Sequence, residues 1–74
     1  MRIVPKQRFP YSEMEYLIGE YITGYRAERN REILRQHFLL GYSQPEIAKN
    51  MDMSVIQVGR IIKNEGSYLI SMLK

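Results

Sequence analysis

Residues 43–64 leave room for little except two short helices joined by a tight turn. Ser43 and Glu46 have the spacing of a capping box, and Pro45 falls in the first turn, where a missing N–H costs nothing. The first helix runs to Met51, Asp52 and Met53 make the turn, and Ser54 caps a second helix that reaches about Asn64. Two helices crossing at roughly 90–120° touch at few places, so the inward positions are tightly constrained. Ile47 and the small Ala48 stand where the backbones come closest, Met51 one turn on, and Met53 at the turn. Val58 and Ile61 are the inward positions of the second helix, and the residues between are mostly polar. The turn position that needs a positive φ holds Asp52 instead of glycine, and aspartate tolerates that region better than most residues.

The rest of the chain reads as helical support. Residues 1–10 contain Pro5 and Pro10, lack periodicity, and form a basic arm with Arg2, Lys6 and Arg8. Ser12 and Glu15 suggest a cap for a helix whose stripe is Met14, Leu17, Ile18, Tyr21, Ile22 and Tyr25. That stripe faces a core or a partner; base stacking is the other reading of its tyrosines. In the charged run 26–32, either Asn30 caps a new helix or the run bridges one long helix. The period resumes at Ile33, Leu34, His37, Phe38 and about Leu40, and Gly41 ends it. Gly66 is expected to end the second helix of the pair, with Ser67 starting a final turn or helix through Tyr68, Leu69, Met72 and Leu73. The fold class is all-α: a small bundle of four to five helices in one domain, 11–74, with a helix-turn-helix at 43–64.

Composition excludes several kinds of chemistry. With 74 residues, no cysteine and one histidine, no disulfide framework or thiolate metal site is expected. His37 reads as an ordinary, partly exposed helix residue. No apolar run approaches the roughly 20 residues of a membrane span, and no signal-peptide core is visible, so a cytoplasmic chain without membrane association is expected. No nucleophile–base pair or phosphate-binding glycine loop appears, so neither an enzyme nor a cofactor is expected. The net charge of +3 is segregated, with acids concentrated in 12–25 and four arginines in 26–35.

Burying Val58 and Ile61 turns Ser54, Val55, Ile56, Gln57, Arg60 and Lys63 outward or sideways. Such a face suits the major groove of double-stranded DNA. Val55 and Ile56 would meet thymine methyl groups, unless one of them packs on a neighbouring helix. Gln57 has the chemistry to read adenine; Arg60 has that to read guanine or to bind a phosphate. Gly59 either lets the helix approach the groove closely or is simply tolerated. Lys49, Lys63 and Asn64 are lesser phosphate candidates. The arm follows the DNA backbone, enters the minor groove, or is merely solvated.

Ser43-Gln44, Ala48, Met51, Met53, Val58 and Gly59 resemble the helix-turn-helix of lambda-type phage repressors. Residues 31–43, from Arg31 to Ser43, are more similar to the sigma factor region 4 family, in which a helix of this pattern packs over the motif. The resemblance covers about residues 30–65; the first 25 residues do not share it. It implies sequence-specific DNA binding by a small transcriptional regulator of a bacterium, phage or mobile element, with Gln44 on a phosphate. One such motif spans few base pairs, so a homodimer is expected, joined through residues 14–25 or 68–73. The alternative is a protein-interaction adaptor on the same core, binding RNA polymerase or serving as a phage DNA-packaging subunit.

Overall fold

The computed structural model describes residues 11–73, so Arg2, Lys6 and Arg8 of the basic arm lie outside the described residues. These fold into four helices: α1 Tyr11–Tyr21, α2 Ala27–Leu34, α3 Gln44–Met51 and α4 Val55–Ile70. A π-helical stretch, Arg35–Leu39, continues α2 without a break. Among the described residues no helix is long and apolar enough to cross a membrane.

In α1, Met14, Leu17 and Ile18 are buried, and Ile22 follows them just past the helix end. Ser12 lies inside the helix instead of capping it. Two tyrosines of the expected stripe do not follow it: Tyr21 is 45% and Tyr25 85% exposed. The helix stops at Tyr21, and the left-handed residues Gly24 (φ 90°) and Arg26 (φ 60°) swing the chain away from that face. Arg26 then stands as the N-cap of α2, so the charged run belongs to a second helix with Asn30 inside it. Arg31 fastens the corner by donating from Nε to the Ile22 carbonyl at 2.9 Å.

The π turn changes which residues face inward. Its mark is a five-residue bond, from the Leu40 N–H to the Arg35 carbonyl at 3.1 Å. Leu34 is fully buried and Phe38 and Leu39 pack on the core, whereas Leu40, expected on the same stripe, is 45% exposed. Gly41, at φ 74°, ends the segment as expected. His37 is half-buried, edge-on to Phe38 at 4.7 Å, and its buried Nδ1 has no hydrogen-bond partner among the described residues. Desolvation holds its pKa below the usual 6.5.

Both helices of the central pair begin with complete capping boxes, Ser43 with Glu46 and Ser54 with Gln57. Asp52 adopts φ 59°, ψ 47° as the C-cap of α3, and the Met53 N–H reaches the Ala48 carbonyl at 2.9 Å. Beyond the turn α4 departs from expectation in two ways. Val58 and Ile62 are the buried pair, with Ile61 only partly buried. Gly66 does not end the helix: it is buried against the Phe38 ring, and α4 runs on to Ile70.

Two apolar clusters result. Met14, Leu17, Ile18, Ile22, Leu34 and Leu69 hold α1 against α2 and the end of α4, with Met72 and Leu73 packed on them. Ile33, Ile47, Ala48, Val58 and Ile62 hold α3 and the start of α4 against α2. Full burial of each large aliphatic side chain contributes about 1.5–3 kcal/mol. Most apolar residues proposed as a dimer interface, in 14–25 and 68–73, therefore serve this chain's own core.

Candidate nucleic-acid interface

The buried residues of α4, Val58, Ile62, Gly66 and Leu69, define its inward direction. With 3.6 residues per turn, Ile56, Arg60 and Lys63 fall within about 60° of one another on the far side, with Gln57 and Asn64 beside them. All five are exposed. Ile56 is 72% exposed and Val55 44%, so neither is absorbed by a neighbouring helix. A strongly exposed isoleucine at the start of a helix otherwise well matched to its core is the least expected feature of this surface.

Ser54 and Gln57 have a structural duty that sequence spacing announced only in part. The Ser54 hydroxyl accepts from the Gln57 N–H at 3.1 Å, and Gln57 Oε1 accepts from the Ser54 N–H at 3.2 Å and its hydroxyl at 3.3 Å. The Ser-x-x-Gln spacing carried this signal. Bidentate reading of adenine would require Gln57 to leave that cap, whereas its Nε2 remains free to donate while Oε1 stays in place.

Gly59 is half-buried, and the space beside it is already taken. A Cβ built there would stand 3.0 Å from Gln44 Oε1, so Gly59 accommodates the side chain of α3's first residue. Gln44 is thus seated on the Gly59 flank of the outward stripe. The opposite flank is the Ile61 side. There a shallow depression is lined by Arg29, Met53, Gln57, Arg60 and Ile61, so α2 also borders the stripe. Sequence reasoning missed Arg29, which looked like one more surface charge in the run 26–32.

The four arginines of that region differ in occupation. Arg26 lies 5.2 Å from the Tyr25 ring centroid, Arg31 holds the Ile22 carbonyl, and Arg35 sits 3.8 Å from Glu32. Arg29 donates from Nε and Nη2 to Asn30 Oδ1 at 3.2 and 3.1 Å, a neutral partner that leaves its charge uncompensated. Lys49 is exposed on α3, around a different depression with Tyr42, Glu46 and Asn50. Of the expected site residues, Ile56, Gln57, Arg60, Lys63, Asn64 and Gln44 are therefore brought together around the stripe; Val55 lies about 100° from Ile56 at the exposed start of the helix, and Lys49 belongs elsewhere.

A part-buried polar contact ties α3 to the π turn. Gln36 is 6% exposed; its Oε1 accepts from Asn50 Nδ2 at 3.0 Å, and its Nε2 donates to Glu32 Oε2 at 3.1 Å. Among the described residues no group of three or more His, Asp or Glu side chains is placed to hold a metal ion.

Comparison with known protein families, curated proteins and solved structures finds no match to this chain.

Proposed function

We propose that α3, its turn and α4 act as a helix-turn-helix that binds double-stranded DNA in a sequence-dependent way, as a small transcriptional regulator does. The observation that carries this reading is the outward stripe of α4, where 72%-exposed Ile56 stands beside Gln57, Arg60 and Lys63 on a helix otherwise fixed to the core. An aliphatic head with polar and cationic neighbours matches a major groove that presents thymine methyls, base-edge acceptors and phosphates together. In this reading Ile56 and Val55 meet thymine methyls, Gln57 donates one hydrogen bond from Nε2, and Gln44 places a phosphate near the start of α3. One such unit contacts few base pairs, so two copies on half-sites about one helical turn apart would supply useful affinity.

Anisotropy titration of the chain against duplexes enriched from a random pool tests this. Ile56→Ala and Arg60→Ala should each weaken binding several-fold at low salt without lowering the melting temperature, because neither side chain is buried. Unchanged affinity in both would remove α4 from the contact. The adaptor reading draws on a different observation, the exposed Tyr11, Tyr16, Tyr21 and Tyr25 on and just after α1. It expects capture of RNA polymerase or a packaging enzyme without DNA, and Tyr16→Ala should abolish that capture.

A further inference from the structure

The outward stripe of α4 has two borders, and each is formed by a different helix. On the Gly59 side stands Gln44 of α3, its Oε1 3.0 Å from the place a Cβ would occupy. On the Ile61 side stands Arg29 of α2, sharing a shallow depression with Met53, Gln57 and Arg60. A helix lying in a major groove has a phosphate backbone along each of its sides, so groups flanking the helix on both sides meet opposite strands.

We infer that Arg29 is a DNA-backbone contact, gripping with Arg60 a phosphate on the strand opposite the one that meets Gln44. The inference rests on the DNA-binding reading above and adds α2 to its interface. Three observations support it. Arg29 and Arg60 line one shallow depression from two helices, so an anion seated there would lie beside both residues. Neither has an acidic partner among the described residues: Arg29 is held by the neutral Asn30 Oδ1, and the Arg60 side chain has no hydrogen-bond or ion-pair partner there. The two bonds that Arg29 donates to Asn30 Oδ1 also fix two of its guanidinium nitrogens, which lowers the conformational cost of holding the group in place.

The chemistry also assigns Arg60 its role. A guanidinium drawn toward Arg29 by a shared phosphate is directed at the edge of the groove and away from its floor. Arg60 then contributes affinity and register, while Val55, Ile56 and Gln57 carry the discrimination between base pairs.

Salt dependence separates these roles. Affinity of the wild-type chain, Arg29→Gln, Arg29→Lys and Arg60→Gln is measured between low and high salt, on the enriched duplex and on a scrambled duplex of the same composition. Each neutralised phosphate contributes about 0.9 to the slope of log K against log salt. Arg29→Gln and Arg60→Gln should each lower the slope magnitude by about that amount and weaken both duplexes by a similar factor, several-fold at low salt. Arg29→Lys, which keeps the charge, should restore the wild-type slope. An unchanged slope in Arg29→Gln would overturn the inference, as would a loss confined to the enriched duplex. If the wild-type chain binds neither duplex, the DNA-binding reading itself fails, a result already visible before any variant is measured.

Discussion

The two halves of α4 form one unbroken helix but meet different surroundings. From Val55 to Ile62 the helix rests on α3 and α2, buries Val58 and Ile62, and turns Ile56, Gln57 and Arg60 outward. From Gly66 onward it is held against α1 and the π turn, with Leu69 fully buried in the other apolar cluster. Each half also carries one glycine, and the two are constrained differently. A Cβ at Gly66 would lie 3.2 Å from Cζ of the Phe38 ring, whereas at Gly59 it would meet the movable end of Gln44 at 3.0 Å. The second half anchors and the first half presents; the anchoring explains how a 74-residue chain can hold a surface helix with an isoleucine facing out.

The strongest challenge to this division is removal of one core side chain from each half's cluster. Ile18→Ala and Ile47→Ala both empty fully buried positions, and each should cost about 2–5 kcal/mol in urea unfolding. Because α4 spans both clusters, a single transition is expected in each variant. Two separate transitions would show that the halves fold independently.

The glycines test the division at smaller scale. Gly66→Ala sets overpacking of about 1–3 kcal/mol against roughly 0.5–1 kcal/mol of helix gain, and should lower the melting temperature. Gly59→Ala should raise the melting temperature, through a gain of up to about 1 kcal/mol in stability, since Gln44 can swing aside. The same change should weaken duplex binding by displacing Gln44, and Gly59→Ala should have no further effect on binding once Gln44→Ala is present. Shifts of the same sign at both glycines would erase the distinction.

The smallest effect expected is that of His37, on the π turn. Its folded pKa is depressed by burial, so between the two pKa values the unfolded chain binds the proton that the folded chain refuses. Stability should therefore fall as pH drops below about 6.5, then level off beneath the folded pKa. Denaturant midpoints of the wild type and His37→Leu compared from pH 7 to pH 5 should show a steeper decline in the wild type.

Much of this arrangement was legible because local signals and tertiary packing agree. The Ser43 capping box, the left-handed turn at Asp52, the Gly41 stop and the inward Ile47, Ala48 and Val58 all depend on a few neighbouring residues. Expectation failed where a distant contact or an irregular turn decides. Gly66 reads as a stop until Phe38 is known to cover it, and Ile62 replaces Ile61 as the deeply buried residue because of how α4 lies on α2. The π turn moves Leu40 off the stripe, and the corner at Gly24–Arg26 removes Tyr25; neither carries a periodic signal. At the candidate site the outward placement of Ile56, Gln57, Arg60 and Lys63 was legible from the period of α4. The seat of Gln44 on Gly59, the capping duty of Gln57 and the approach of Arg29 were not foreseen. The seat of Gln44 and the approach of Arg29 join separate helices.

The central claim is that the outward face of α4 reads duplex DNA. Its most direct test is selection of bound duplexes from a random pool by the wild-type chain and by Ile56→Ala in parallel. The wild type should enrich a short motif containing A·T pairs, repeated about one helical turn apart if two copies bind, and the variant should lose preference at the A·T positions. No enrichment by the wild type, or the same motif enriched equally by the variant, would contradict it.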